Sequence, residues 1–239
     1  MGNTLGLDDD MDPVEIVWAI EKAFGIQITD EEARGCRTVG DIFDVVKDWF
    51  AKAEGKKCAT AMAFYRLRKG LEGSRRKMKP ETALRGLHPG SARVFFKELA
   101  DASGVRCPDP GLSWVGYFGL TVALSGLASL VVVAFIDFDS LWWLSIAAFA
   151  LGLITVKLDP GIVPRKFATL GDLSEKVAAL NFGRLAGQGA RANDRDIWNA
   201  LVGVVTEFSA LPASQITRET WCLKSQLKGS AWSFRIPSA

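Results

Sequence analysis

Four carboxylates within five residues, Asp8, Asp9, Asp10 and Asp12, form the densest group in the chain that could hold a cation. The run lacks the Gly and the distal Glu of a calcium-chelating loop, so it reads as an acidic surface at a helix N-terminus. His88, the single histidine, lies beside Pro89 with no nucleophile motif around it and reads as a surface polar residue rather than a general base. Cys36, Cys58, Cys107 and Cys222 have neither CxxC spacing nor a histidine partner. That excludes a structural zinc site, and without a secretory signal they read as reduced thiols. No GxxxxGK[ST] or GxGxxG sequence offers a phosphate cradle. The expectation is a protein with no catalytic residue, no metal and no cofactor, and not an enzyme.

The elements around these residues are dominated by one signal. Leu112 to Ile136 is 25 residues without a charge, and at about 1.5 Å per residue such a helix crosses a hydrocarbon layer of roughly 30 Å. Asp137-Phe138-Asp139-Ser140 follows, and Leu141 to Val156 is again uncharged, extended by Phe138 and Leu158, with Lys157 placed to snorkel. Trp114 and Tyr117 mark one membrane interface and Trp142 and Trp143 the other. Arg85, Arg93, Lys97 and Arg106 precede the pair and Lys157, Arg165 and Lys166 follow it, while the turn carries only Asp137 and Asp139. This asymmetry predicts a two-span hairpin in the cell inner membrane with both termini cytoplasmic. Gly119, Ala123, Ser125, Gly126 and Ser129 are small enough to let the two helices approach closely. Neither span has an ionisable residue in its interior, which argues against a transporter.

Charge is distributed in blocks. The formal net charge of +2 conceals 5 Lys/Arg against 13 Asp/Glu in residues 1–55, and 13 against 4 in residues 56–106. Lys56, Lys57, Arg66, Arg68, Lys69, Arg75, Arg76, Lys77 and Lys79 form a solvated face or lie against anionic lipid or the acidic block. No aromatic stacking platform accompanies them, so nucleic acid is not expected as a partner.

The flanking segments read as helices. Asp12 caps the first and Pro13 suits its opening turn, with Val14, Val17, Trp18 and Phe24 as its apolar face and Gly25 as its end. Thr29-Asp30-Glu31-Glu32 is a cap and first turn, and Thr38-Val39-Gly40-Asp41 opens a helix with Ile42, Val45, Val46 and Trp49/Phe50 inward. Near the C-terminus, Asp194 or Asp196 caps a helix with Trp198, Leu201, Val202 and Val205 on its face. Gly183, Gly187 and Gly189 read as a linker, with a turn at Gly187-Gln188-Gly189-Ala190.

Residues 14–33, with Phe24-Gly25-Ile26 and Asp30-Glu31-Glu32, followed by Thr38-Val39-Gly40-Asp41-Ile42, resemble the acyl carrier protein family from its second helix to its last. The family carries phosphopantetheine on the Ser of an Asp-Ser-Leu motif, and this chain has Asp8-Asp9-Asp10-Met11-Asp12 there, so the resemblance implies a carrier fold without the arm. Ile197–Val205 followed by Ile216-Thr217-Arg218-Glu219-Thr220 resembles the missing first helix and loop. That placement implies a circularly permuted bundle that joins residues 5–55 with 194–228. A second copy runs through Ala63–Lys69, Pro80–Leu84, Val94–Leu99 and Thr169-Leu170-Gly171-Asp172-Leu173, with the hairpin inserted. In that register Ser91 stands near the carrier serine position.

The expected fold is therefore all-α, with carrier-like helical bundles plus a two-helix transmembrane hairpin. Residues 1–55 are carrier-like helices, 56–111 a basic helical segment, 112–158 the hairpin, 159–190 a cytoplasmic helix and linker, and 191–239 the carrier-like first helix and loop. The expected function is a membrane-anchored, non-catalytic adaptor. Its partners would be the lipid bilayer, anionic lipid, and a protein with a basic surface that meets Asp8, Asp9, Asp10, Asp12 and Glu15. The alternative is an acyl- or peptidyl-carrier-type protein that works with a neighbouring enzyme and is loaded at Ser91.

Overall fold

A computed structural model describes residues 4–7, 12–53, 55–71, 78–84, 87, 90–136, 142–209 and 211–223. It is mostly helical. The helices are α1 (Asp12–Phe24), α2 (Asp30–Gly35), α3 (Val39–Trp49), α4 (Ala59–Gly70), α5 (Ala92–Ser103), α6 (Trp114–Ile136), α7 (Trp142–Leu158), α8 (Leu170–Leu180), α9 (Phe182–Ala186) and α10 (Asp194–Val205). A purely helical chain is not what forms: β1 (Thr4–Leu7) and β2 (Trp221–Leu223) make a small parallel pair. His88, Asp8, Asp9, Asp10, Arg75, Arg76, Lys77, Asp137 and Asp139 lie outside the described residues, as does the side chain of Asp12.

Two apolar cores organise the helices. The first gathers Ile16, Ile20, Phe24, Val39, Phe43 and Val46 from the start of the chain with Ile197, Leu201 and Val205 of α10. The two ends also meet through β1 and β2, and the Ser209 hydroxyl donates to the Leu5 carbonyl at 3.1 Å. The second core is built from Ala63 and Leu67 of α4, Phe95, Phe96 and Leu99 of α5, and Leu170, Leu173 and Val177 of α8. Short α9 joins them, with Phe182 in the first core and Leu185 in the second. Phe182 stacks near Phe24 and Phe50 at 5.4 and 5.6 Å between ring centroids.

Several expectations change here. The apolar face of α1 is Ile16, Ala19, Ile20, Ala23 and Phe24, whereas Val14 and Trp18 are 52% and 58% exposed. Apolar residues occupy almost every position from 14 to 20, so periodicity alone does not choose a face, and Trp18 packs under the Lys22 ammonium instead. On α3, Val39 and Phe43 are buried with Ile42 and Val46, while Trp49 is exposed. Asn193, not Asp194 or Asp196, caps α10, its side chain accepting from the Asp196 N–H at 2.8 Å. Gly183 is no linker residue: it lies inside α9, where a Cβ would run into the Phe24 carbonyl.

α6 and α7 pack on each other along a seam of small residues. Gly119, Ala123 and Gly126 of α6 face Thr155, Gly152 and Phe149 of α7 so closely that a Cβ on any of the three glycines would meet the opposite helix. Ser129 donates to Ser145 across the seam at 2.6 Å. Ser125, grouped with these residues in the sequence, points outward. The rest of the α6 surface is apolar and exposed, including Phe118, Leu124, Leu127 and Val131.

Candidate functional site

The most informative geometry is a turn that occurs twice. Thr38 caps α3 and Thr169 caps α8. Each hydroxyl accepts from the N–H of an aspartate three residues on, Asp41 or Asp172, at 3.2 Å, and each aspartate accepts in return from its threonine N–H. These are capping boxes, which satisfy donors that a helix start leaves orphaned. The backbone dihedrals of the two threonines agree, at φ −118° and ψ 163° against φ −119° and ψ 164°.

A distant loop completes each turn in the same way. Val39 N–H donates to Thr220 O and Gly40 N–H to Arg218 O, both at 2.9 Å. Leu170 N–H donates to Thr82 O at 2.9 Å and Gly171 N–H to Pro80 O at 2.8 Å. Within the loops, Thr217 N–H donates to the Thr220 hydroxyl at 2.8 Å and Lys79 N–H to the Thr82 hydroxyl at 2.9 Å. Ile216 and Cys222 anchor one loop in the first core, and Met78 and Leu84 anchor the other in the second. The glycine after each cap has a steric reason. A Cβ on Gly40 would stand 2.7 Å from Arg218 O, and one on Gly171 would stand 3.2 Å from Pro80 O.

Between these landmarks the two halves diverge. α1 ends at Gly25 and α5 at Gly104, both left-handed at φ 66° and 61°. After Gly25 the chain makes only the short helix α2, with its own capping box between Thr29 and Glu32. After Gly104 it makes α6 and α7. The base of that pair is fastened at Gly111 and Ile162, which exchange backbone hydrogen bonds at 2.9 and 2.8 Å. It is also fastened at Asp159, only 2% exposed, whose carboxylate accepts from the Ser113 N–H at 3.0 Å and from the Ser113 hydroxyl. Burial pushes the Asp159 carboxyl up, but the Ser113 hydroxyl and N–H, Arg93 and the Gly161 N–H outweigh it and hold the carboxyl below its ordinary value.

Ser91 is the N-cap of α5. Its hydroxyl accepts from the Val94 N–H at 3.4 Å and donates to Pro160 O at 2.7 Å, so the segment leaving α7 covers the helix start. Glu15 is exposed on α1. Trp114, at 80%, and Tyr117 are exposed at one end of the α6–α7 pair beside Lys157, and Trp142 and Trp143 stack at 3.9 Å at the other.

A cleft of about 710 Å³ runs between α8 and α10. On its wall the Lys176 ammonium pairs with Glu207 at 2.9 Å and donates to Gly203 O. Burial draws the Lys176 pKa down, against the opposing pull of Glu207. Burial also pushes the Cys36, Cys107 and Cys222 thiols up to about 11, 12 and 12, which leaves them protonated and unreactive at neutral pH. Among the described residues no group of three or more His, Cys, Asp or Glu could hold a metal ion. Sequence reasoning missed Asp159 and Lys176. A lone carboxylate between the end of an apolar run and Pro160-Gly161 was the only sign of the first, and nothing local marks the second.

Comparison with known proteins places a short part of the chain. Over 36 residues it is 56% identical to the acyl carrier protein of Syntrophobacter fumaroxidans (strain DSM 10017 / MPOB), a match that covers 15% of this chain and 44% of that protein. Over 41 residues it is 46% identical to the acyl carrier protein of Buchnera aphidicola subsp. Baizongia pistaciae (strain Bp), covering 17% and 53%. The chain thus spans about half the length of the curated relatives it matches. No protein-family model matches, and no solved structure matches. A region of this chain is similar to acyl carrier proteins, and one helix, across Trp114–Val132, is long and apolar enough to cross a membrane.

Proposed function

We propose that this chain is a membrane-anchored, non-catalytic adaptor built on carrier-like helices, which docks a protein partner at the cytoplasmic face of the inner membrane. In this reading α10, the 206–223 loop and α1 to α3 form one carrier-like bundle, permuted through the chain ends. α4, α5 and α8 form a second, opened by a two-span hairpin. The observation that carries it is the doubled Thr-cap turn, with its matched loop contacts at Arg218/Thr220 and Pro80/Thr82. Two further facts support the anchor. Only 22% of the Trp114–Val132 stretch is buried, unlike the core helix of a soluble fold, and α7 runs beside it with an equally exposed apolar surface at Leu144, Leu151 and Ile154.

The adaptor reading follows from what replaces the arm. Asp8, Asp9 and Asp10 precede α1 and Asp12 begins it, where a carrier needs a hydroxyl, and a carboxylate does not form that phosphodiester. With Glu15 they give the sequence here a run of negative charge suited to a partner with a basic face. The test is affinity capture of the full chain from detergent-solubilised membranes, with and without charge reversal at Asp9, Asp10 and Glu15. Loss of a co-purifying protein is expected, and an unchanged set of partners overturns the docking surface. Full chain that stays monodisperse in buffer without detergent overturns the anchor.

A carrier loaded at Ser91 is the second reading, favoured by the position of Ser91 at the start of α5. It requires the Ser91–Pro160 hydrogen bond to open. Intact mass spectrometry separates the readings, since a phosphopantetheine increment that disappears in Ser91→Ala establishes the carrier.

A further inference from the structure

Where α6 and α7 meet the second core, the exposed side chains alternate between cationic and apolar. Arg93 opens α5, and its guanidinium donates to Lys157 O at 3.3 Å, which fixes that helix start at the level of the end of α7. Lys97 lies one turn further along the same face, exposed as Arg93 is. Lys157 is exposed in the last turn of α7 and Arg165 on the segment that leaves it. Apolar residues on α5, at the start of α6 and on the segment that leaves α7 are exposed as well. Val94 is 50% exposed, Ile162 49% and Trp114 is almost fully open. The backbone exchange between Gly111 and Ile162 and the bond from Arg93 N–H to Pro160 O tie Arg93 and Ile162 into a collar at the base of the helical pair, with Lys97 one turn along α5 and Arg165 three residues past Ile162. Asp159 is buried, bonded to Ser113 and felt by Arg93, so it offsets part of the Arg93 charge from beneath the exposed side. Glu98 and Asp101 on α5 and Asp109 before Gly111 are exposed carboxylates adjoining the collar in sequence, three against its four cations.

We propose that this collar, with Arg93, Lys97, Lys157 and Arg165 as its cationic groups and Val94, Trp114 and Ile162 as its apolar ones, is a binding surface for the headgroups of anionic phospholipid. It rests on the membrane reading of α6 and α7 given above. The chemistry fits one occupant. Headgroup phosphates lie where the apolar spans end, the indole of Trp114 is suited to that depth, and exposed aliphatics beside cations match the boundary between phosphate and acyl chain. The surface is continuous with the exposed apolar walls of α6 and α7, so the lipid that surrounds the spans is the lipid presented to the collar. The second core then sits against the membrane on α5, and its orientation is set by charge as well as by the hairpin.

The experiment reconstitutes the full chain in phosphatidylcholine bilayers with trace spin-labelled phosphatidylglycerol or spin-labelled phosphatidylcholine, and reads the motionally restricted fraction of each. The expected result is a preference for the phosphatidylglycerol label of about threefold or more, falling towards parity in Lys97→Gln/Arg165→Gln and in high salt, and unchanged in Lys56→Gln/Lys57→Gln. Neither Lys97 nor Arg165 holds the fold together by a described hydrogen bond or ion pair, so the double variant should fold. Equal restriction of the two labels in the unaltered chain overturns the proposal. So does a preference that survives at Lys97 and Arg165 but is lost at Lys56 and Lys57. Absence of a restricted fraction for either label is a different failure, since it removes the membrane reading and this proposal with it.

Discussion

From its left-handed glycine to its Thr-capped helix, each core follows the same path with a different detour. In the first core Gly25 leads through six residues of helix, α2, to Thr38; in the second Gly104 leads through α6 and α7 to Thr169. The cap, its reciprocal aspartate and the loop that grips the next two N–H groups are nevertheless superimposable in their bonding. A connection can therefore grow by dozens of residues without disturbing the turn beyond it, provided its ends return to the same spacing. The extra elements here close their own base, through Gly111–Ile162 and Ser113–Asp159, before the chain re-enters the core. Loop closure entropy rises only slowly with length, so a long connection that ties its own neck costs the fold little.

The most direct way to break the comparison is to untie that neck, which has no counterpart in the first core. Asp159→Ala leaves the buried Ser113 N–H and hydroxyl without their acceptor and is expected to destabilise the second core by about 2–3 kcal/mol. Hydrogen exchange should rise in α5 and α8 while α1 and α3 stay protected. The same group predicts an acid limit. Its folded pKa lies below the unfolded value of 3.8, so its contribution is complete above that pH and disappears as pH falls through the folded value. An Asp159→Asn chain should lack this acid-dependent loss in a thermal melt.

The paired glycines sharpen the comparison, because the two turns differ in how much room they leave. Gly40→Ala drives a Cβ against the Arg218 carbonyl, which belongs to backbone, and should cost about 2 kcal/mol. Gly171→Ala meets Pro80 O at 3.2 Å, a contact that a small shift relieves, and the better helix propensity of alanine offsets part of the strain. The denaturation midpoint should fall clearly in the first variant and stay within about 0.5 kcal/mol of the parent in the second.

What the sequence made legible follows from how local each signal is. The helix start at Thr38, the glycine at the end of α1 and the uncharged run of α6 are each contiguous in the chain, and the structure has each of them there, whereas the capping role of Thr169 shows only in the structure. The buried face of α1 was misread because Val14, Ile16, Val17, Trp18 and Ile20 give several helical stripes of similar apolarity, and only the partner α10 decides among them. Gly183 looked like a linker because close approach to Phe24 and chain freedom use the same residue type. Ser91 was legible as a helix start, but its bond to Pro160 joins positions on either side of the hairpin and has no local trace.

Truncating the caps tests whether the two turns are equal in energy as well as in bonding. Thr38→Ala and Thr169→Ala each lose a hydroxyl that accepts at 3.2 Å and should each cost about 1 kcal/mol, with Thr→Ser restoring most of it. Exchange rates in the first turn of α3 and of α8 are the readout, and costs that differ by more than about twofold would mean that the loops, not the caps, carry one of the turns.

The smallest effect concerns the joint between the cores. Lys176 is largely buried and Glu207 is 29% exposed at its side chain, so the pair loses part of its Coulombic gain to desolvation. Lys176→Met/Glu207→Leu should therefore be neutral or stabilising by under about 1 kcal/mol, while Lys176→Met alone should cost about that amount by leaving Glu207 without its cation. The pH dependence has a definite sign. The folded pKa of Lys176 is depressed below 10.5, so between the two values the unfolded chain binds more protons and stability rises with pH. A melting temperature that climbs on the alkaline side in the parent and stays flat in the double variant would place Lys176 as its source; an unchanged slope would assign it to other groups and leave the joint held by apolar contacts such as Gly203 against Ala179.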